Sequence, residues 1–200
     1  MARTQATDYD ERKQAIVDAA AALFASDGFN GASVADIAKR GAISKSLVYH
    51  YYGSKEDILY DVMISHVRAL EVAAAEVTGD ASLPPAKRLR ELAHRFMALY
   101  VGAADRHKVL LNDLNRLPRA KRAEIVKVQR RLIETVQRLL VEIEPGLKRK
   151  AGASFAASML FFGTINWTHT WFDPSGAVSA GALAEMAVDL TLGGLSKAAD

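Results

Sequence analysis

The stretch Ser33-Val-Ala-Asp-Ile-Ala-Lys-Arg-Gly-Ala-Ile-Ser-Lys-Ser-Leu-Val-Tyr-His-Tyr51 decides how the N-terminal end of this chain folds. Ser33 with Asp36 three residues later is a pattern that opens a helix, and Gly41 supplies a sharp turn after it. Ser44 can cap a second short helix that runs to about Tyr51. The stretch therefore predicts a helix-turn-helix, whose second helix fits a DNA major groove. An ordinary helical hairpin is the alternative.

Helical spacing of apolar residues continues on both sides of this stretch, and no segment alternates apolar and polar residues as a strand would. Gly28 ends the preceding helix, Ser54 opens a long following one, and Pro84 or Pro85 opens the next. The last two helices span about 150–172 and 179–196. We predict an all-α fold of about nine helices, with an N-terminal three-helix head and a larger C-terminal helical bundle.

Composition excludes several classes of protein. The 200 residues contain no cysteine, which excludes disulfides and thiolate metal sites. The five histidines lack metal-ligand spacing, and no nucleophile elbow or phosphate-binding glycine loop occurs. We therefore expect no enzyme, no metal and no cofactor. A polar N-terminus and interrupted apolar runs predict a cytoplasmic protein without membrane contact.

Positive charge is concentrated in the middle of the chain. Residues 1–55 carry seven Lys and Arg against six Asp and Glu, whereas residues 87–150 carry seventeen against seven. The nearly neutral N-terminal segment is poorly equipped to bind DNA alone, so we expect two copies on a two-fold DNA site.

The run Tyr49-His-Tyr-Tyr-Gly-Ser-Lys-Glu-Asp-Ile-Leu59, preceded by Phe24, Gly28-Phe29 and Ile37-Ala38, closely resembles the signature of the tetracycline-repressor (TetR) family. Tyr52 stands where the family commonly has Phe, which is a mild departure. The resemblance is strong over about residues 12–62. It implies a helix-turn-helix DNA-binding domain at residues 8–55 and an effector-binding and dimerisation domain at 56–200.

The resemblance also implies which side chains contact double-stranded operator DNA. Ser33, Tyr49, Tyr51 and Lys55 would hold phosphates, and Lys45, Ser46, Leu47 and His50 would face the bases. Ser44 completes the DNA-binding set, with helix capping as its alternative role. Phosphate contacts fix the register on DNA, whereas base contacts carry specificity.

For the C-terminal part the resemblance implies a homodimer and a small-molecule effector pocket. The dimer interface would use the last two helices, through Phe161, Ile165, Trp167, Leu183, Met186 and Leu190. The candidate ligand-binding residues are Phe96, Met97, Tyr100, Leu114, Phe162, Asn166 and His169. A purely intramolecular core is the alternative for the interface residues, and bonds to neighbouring helices or across the dimer are the alternative for Asn166 and His169.

The basic middle of the chain suits an effector with an apolar body and an anionic head. The stretches 111–118 and 166–176 resemble a TetR subgroup whose members sense acyl-CoA thioesters. The candidates for CoA phosphates are Lys87, Arg88, Arg90, Arg95, Arg106, Arg116, Arg119 and Arg122, although charge runs are usually solvated faces. We therefore predict a ligand-released repressor of catabolic genes. The alternative is a ligand-independent DNA-organising protein with little sequence preference, which would bind mainly through phosphates.

Overall fold

The computed structural model describes the backbone of residues 2–199 and the side chains of residues 9–195. Within these residues there are nine α-helices and no strand. The helices are α1 (Ala2–Gly31), α2 (Val34–Arg40), α3 (Lys45–Tyr51), α4 (Lys55–Gly79), α5 (Pro85–Gly102), α6 (Ala104–Asp113), α7 (Arg119–Ile143), α8 (Ala153–Asn166) and α9 (Ala180–Ala199). The prediction of an all-α fold is confirmed.

The chain divides into two compact units. The first contains the described residues up to His66 together with Asp105–Ile125, and the second contains Val67–Ala104 and the described residues from Val126 onward. Helices α4 and α7 each contribute residues to both units. Residues 56–66, which the sequence assigns to the C-terminal domain, therefore pack in the first unit. The functional division after residue 55 stays a prediction.

Short polar side chains set the helix boundaries of the first unit. Ser33 and Asp36 form a reciprocal capping box, because the Asp36 N–H donates to Ser33 Oγ at 3.1 Å and the Ser33 N–H donates to Asp36 Oδ2 at 3.0 Å. The hydrogen bond from the Ser33 hydroxyl lowers the pKa of Asp36. Ser54 opens α4 in a related way, accepting from the Asp57 N–H at 3.1 Å. These starts agree with the predicted ones.

The turn between α2 and α3 differs from the predicted one. Gly41 has an ordinary φ of −79°, and Ala42 takes the left-handed conformation with a φ of +52°. A Cβ at Gly41 would lie 3.3 Å from the Ile37 carbonyl oxygen and 3.5 Å from Ala19 Cβ. A side chain at position 41 would thus be tight against the backbone of α2 and in ordinary contact with α1, and the sharp change of direction falls one residue later.

Helices α4 and α6 meet in the first unit through a buried histidine pair. His66 Nε2 lies 3.1 Å from His107 Nδ1, and both side chains are only 2% exposed. Burial, and after it the positive charge of Arg106, lowers the pKa of His66 to about 4. Because protonation would place a charge in this core, His66 is neutral near neutral pH.

The second unit is built around a continuous apolar cluster from α4, α5, α7, α8 and α9. Phe96 lies at its centre with 0% exposure, and its ring stacks on Phe162 with centroids 6.0 Å apart. Helix α8 is shorter than predicted: it ends at Asn166, and a 3₁₀ turn over Trp167–Thr170 follows. At the surface of this unit, Glu185 of α9 pairs with both Arg90 and His94 of α5. No helix among the described residues is long and apolar enough to cross a membrane.

Candidate DNA-binding surface, dimer face and effector core

Helix α3 presents a polar face to solvent. Val48 is fully buried and anchors the helix, whereas Lys45, Ser46, Tyr49 and His50 are exposed. The Lys45 ammonium lies 5.8 Å from the centroid of the Tyr49 ring. This distance is within reach of a cation–π attraction, so the two side chains share one side of the helix.

Ser44 and Leu47 have partners within α3 itself. The Ser44 hydroxyl accepts the Leu47 backbone N–H at 3.1 Å and lies 3.0 Å from the Ser46 hydroxyl. The capping role that the sequence offered for Ser44 is therefore present. Ser44 and Ser33 are both exposed and stand just before the starts of α3 and α2. Free backbone N–H groups at such positions favour anions.

The C-terminal end of α3 is packed by tyrosines. Tyr51 is half-buried, and its ring lies 4.7 Å from the ring of Tyr9 in α1, measured between centroids. The neighbouring Tyr52 is buried, and its hydroxyl donates to Asp61 Oδ2 at 2.9 Å. Burial, and then the Asp61 charge, raises the pKa of Tyr52. Tyr9 was not identified from the sequence because it lies far from the motif along the chain.

Lys55 has intramolecular contacts that the sequence did not predict. Its ammonium donates to the carbonyl oxygens of Phe29 at 2.7 Å and Ala32 at 2.8 Å, and it lies 4.2 Å from the centroid of the Phe29 ring. Two of its three donors are therefore engaged at the C-terminal end of α1. These contacts join α1 to α4, and the prediction that Lys55 holds a phosphate of the DNA stays a prediction.

Two family models match this architecture. The model of the bacterial regulatory proteins of the tetR family matches residues 16–62, and that of the tetracyclin repressor-like C-terminal domain matches residues 82–195. The chain belongs to the TetR family. It is accordingly a DNA-binding transcriptional regulator and not an enzyme. Regulators of this family act as dimers on operator DNA and respond to small-molecule effectors.

Individual relatives agree with this assignment over nearly the whole length. The repressor KstR2 of Mycobacterium tuberculosis is 25% identical over 94% of this chain and 94% of its own. A TetR-family regulator from Bordetella parapertussis superposes with a TM-score of 0.85 at 37% identity, over 90% of this chain and 93% of its own. AibR, in complex with isovaleryl coenzyme A and operator DNA, has a TM-score of 0.78 at 24% identity, over 90% and 97% of the two chains.

The six predicted dimer residues of this TetR regulator differ in their exposure. Trp167, Met186 and Leu190 are 64%, 56% and 71% exposed. Phe161 and Ile165 are instead buried in the core of the second unit, with 0% and 1% exposure. We correct the assignment of these two residues to a dimer interface, because a side chain without accessible surface in one subunit cannot contact another.

Leu183 is half-buried against the core. The sequence prediction left out other exposed apolar residues, which lie on α8. Phe155, Met159 and Leu160 of α8 are 52%, 43% and 73% exposed. Helix α8 is apolar almost all round, so periodicity could not distinguish its inner side from its outer side. A groove of about 520 Å³, lined in part by Leu160 and Leu190, runs between α8 and α9 on this face.

The candidate effector residues are mostly packed against one another in the regulator. Phe96, Met97, Tyr100 and Phe162 all belong to the core cluster and are at most 8% exposed. The rings of Tyr100 and Phe162 each stack on the ring of Phe96, and burial raises the pKa of Tyr100. Leu114 belongs to the first unit, whereas the other six candidates belong to the second. The candidate effector residues that cluster in the second unit therefore do not include Leu114.

Asn166 and His169 are linked by a local contact. The His169 Nδ1–H donates to the backbone oxygen of Asn166 at 2.7 Å, a local contact that is neither of the two roles predicted for His169. The side-chain oxygen Oδ1 of Asn166 is buried and has no hydrogen-bond partner among the described residues. A buried acceptor without a donor is costly, so a donor group beside Asn166 would stabilise this region.

Several of the arginines predicted to contact CoA phosphates already have carboxylate partners. Arg90 pairs with Glu185 and Asp189, Arg95 with Glu76 and Glu91, and Arg106 with Asp18. These guanidinium groups cross-link helices. The net positive charge of residues 87–150 is thus a poor guide to an anion site. The positions of arginines that lack a carboxylate partner are a better one.

Proposed function

We propose that this regulator is a repressor that reads a two-fold operator with a pair of α3 helices and is released by an effector with an apolar body and an anionic head. The observation that carries the proposal is the exposed polar face of α3. Its N-terminal turn carries Lys45 and Ser46, which have the donors that major-groove base edges accept. Val48 holds the opposite side of the helix in the core.

The DNA contacts divide into base-reading and backbone-holding groups. Lys45, Ser46, Leu47 and His50 would face the base edges, with Leu47 supplying an apolar contact. The phosphate ligands would be Ser33, Ser44, Tyr49 and Tyr51, the first two beside free backbone N–H groups. Lys55 would support the surface by holding the end of α1.

The second copy would be held by the uncovered face of α8 and α9. This face contains Leu160, Trp167, Met186 and Leu190, which are all more than half exposed. A contiguous apolar patch of this kind is unusual on a monomer. Gly193 and Gly194 leave open space beside α9, which would let a partner helix approach closely. Dimerisation would also double the few phosphate contacts that the nearly neutral N-terminal segment makes.

For the effector we propose a CoA thioester of an apolar acid. The aromatic cluster around Phe96 would accept the acyl part once its side chains rearrange, and Asn166 Oδ1 would accept a hydrogen bond from the ligand. Of the relatives with the same fold, AibR binds isovaleryl coenzyme A, and KstR2 is described as a ketosteroid regulator. Both are compatible with an acyl-CoA class.

The DNA half of the proposal is tested by specificity. A duplex selected from a random-sequence library and a scrambled duplex would be titrated by fluorescence anisotropy at fixed salt. We expect the Lys45→Met variant to lose about 10- to 100-fold in affinity for the selected duplex, while Lys39→Met, on the exposed surface of α2, retains it. Equal affinity of the wild type for both duplexes would instead support a DNA-organising protein.

The effector half is tested with a panel of fatty, aromatic and steroid-derived acyl-CoA thioesters. At least one of them should raise the melting temperature and weaken binding to the selected duplex, because a ligand that prefers the released state stabilises it. The free acids serve as controls for the CoA moiety. If the whole panel changes neither the melting temperature nor DNA binding, the acyl-CoA proposal is wrong.

A further inference from the structure

Helix α3 is too short to fix its own direction. It contains the seven residues Lys45–Tyr51, which form about two turns. Helices of this length are not stable alone, and their orientation comes from tertiary contacts. Val48 anchors the middle of α3 in the core. The side chains at the C-terminal end of the helix therefore influence where its N-terminal turn points.

Three helices are joined at one carboxylate oxygen beside the C-terminal end of α3. Tyr52 ends the helix, and its backbone N–H donates to the carbonyl oxygen of Val48 at 2.9 Å. The Tyr52 hydroxyl donates to Asp61 Oδ2 of α4 at 2.9 Å. The Lys13 ammonium of α1 lies 2.7 Å from the same oxygen and 5.8 Å from the centroid of the Tyr52 ring. We refer to Lys13, Tyr52 and Asp61 as the α3 clamp.

The contacts of the α3 clamp are partly shielded from water. Tyr52 is 5% exposed, and the side chain of Asp61 is 22% exposed. A hydrogen bond to a charged acceptor is stronger than one between neutral groups, and partial burial reduces its screening by salt. The Lys13 ammonium compensates the charge of the carboxylate, so the clamp leaves no unpaired charge beside the buried ring.

A small change at this end of α3 becomes a larger one at the other end. Lys45 lies roughly 10 Å from Tyr52 along the helix axis, at 1.5 Å per residue. A tilt of about 5° about Tyr52 would move Lys45 by about 1 Å, which exceeds the range of good hydrogen-bond distances. The attraction between charges and phosphates acts over longer distances and changes little with such a displacement. The clamp therefore matters more for base contacts than for total affinity.

We propose that the α3 clamp sets the angle at which α3 enters the major groove, with Tyr52 and Asp61 as positioning residues. They act through Lys45 and Ser46 and do not themselves contact DNA. This inference rests on the proposed base-reading role of α3. It adds the residues that give this helix its direction and makes part of the operator specificity depend on one buried hydroxyl group.

The test compares Tyr52→Phe with the wild type, since this change removes one oxygen atom and keeps the buried ring. Binding of the full-length variant to the selected and the scrambled duplex would be measured by fluorescence anisotropy at fixed salt, below its unfolding transition. We expect affinity for the selected duplex to fall about 5- to 20-fold, as base contacts weaken. Affinity for the scrambled duplex should stay within about twofold. A merely structural role would lower the melting temperature and leave the ratio of the two affinities unchanged.

Tyr60→Phe is the matched control. Tyr60 lies on α4 in the same compact unit, and its hydroxyl also donates to a carboxylate, at 2.5 Å from Glu124 Oε2 of α7. Its removal breaks a bond of the same kind that does not involve α3. The ratio of the two affinities should therefore stay within about twofold of the wild-type ratio. An equal fall of this ratio in both variants would overturn the inference.

Hydrogen exchange without DNA separates the clamp from the proposed function. Tyr52→Phe should speed amide exchange in α3 more than in α2, and Tyr60→Phe should not. If the wild type prefers the selected duplex and Tyr52→Phe keeps the ratio within about twofold, the inference is overturned and the proposed function stands. If the wild type has no preference, the proposed base-reading role fails. Faster exchange confined to α3 would then keep the clamp as a positioning device, and unchanged exchange would overturn it.

Discussion

Replacing Lys55 with methionine should destabilise the fold more than it affects DNA contacts. The Lys55 ammonium donates to two backbone carbonyls, of Phe29 and Ala32, at the point where α1 ends. Methionine keeps most of the apolar stem of lysine and removes the charged donor. The variant therefore isolates the two hydrogen bonds and the cation–π contact with the Phe29 ring.

The magnitude follows from the number and type of bonds. A hydrogen bond from a charged group contributes about 1.5 to 3 kcal/mol, and two are lost here. Lys55 is only partly buried, so water can reach the freed carbonyls and part of this cost is recovered. We expect a net loss of about 2 to 4 kcal/mol. For a chain of this length that corresponds to a fall in melting temperature of roughly 5 to 15 °C.

Lys45→Met is the matched control, since Lys45 is exposed on α3 and lies beside the Tyr49 ring. Thermal unfolding at one protein concentration and operator binding over a series of salt concentrations would be measured for both variants. Lys55→Met should lower the melting temperature and leave the salt slope of DNA binding unchanged below its transition. Lys45→Met should leave the melting temperature unchanged and weaken binding to the operator. Unchanged stability of Lys55→Met with a reduced salt slope would refute our assignment and restore Lys55 as a phosphate ligand.

Three further predictions concern the turn, the dimer face and the histidine pair. Ala42→Gly should stabilise the fold by about 0.5 to 1 kcal/mol in urea unfolding, since Ala42 has a φ of +52°, whereas Ala35→Gly inside α2 should destabilise it. Leu190→Glu should convert the dimer to monomers in sedimentation velocity, because Leu190 is 71% exposed on the apolar face, whereas Val72→Glu on α4 should leave it dimeric. Since the folded-state pKa of His66 is lowered to about 4, the unfolded chain binds the extra proton. Stability should therefore fall between about pH 6.5 and pH 4 by on the order of 3 kcal/mol, and a pH-independent midpoint there, or an unchanged slope in His66→Gln, would contradict this account.

Local signals in the sequence were sufficient for the helices and for the DNA-binding motif. Capping by Ser33, Ser44 and Ser54 depends on residues three positions apart, so it can be predicted from the sequence without knowledge of any tertiary contact. The buried face of α7 follows from periodicity, because in that helix apolar and polar residues alternate with the helical repeat. The family signature from Tyr49 to Leu59 is similarly local.

Signals that depend on distant neighbours were misread or missed. Lys55 carries the same charge whether it faces a phosphate or a carbonyl, and only the position of α1 decides which partner it meets. Gly41 looked like the turn residue because glycine tolerates positive φ, but Ala42 takes the positive φ instead. The net charge of residues 87–150 indicated an anion site without distinguishing Arg90, which cross-links α5 and α9, from Arg138, whose guanidinium donates to Thr135.

The sequence by itself therefore determined that this protein is an all-α TetR regulator with a helix-turn-helix between Ser33 and Tyr51, because helix caps and helical periodicity act over a few residues. Tertiary structure alone decided which side of the uniformly apolar α8 is core and which is uncovered: Phe161 lies inward and Leu160 outward. Tertiary structure also decided which arginine side chains pair with carboxylates and which keep N–H donors for other partners. Burial and ion pairing are properties of neighbours that lie far apart in the chain, and a single sequence does not encode those neighbours in any local pattern.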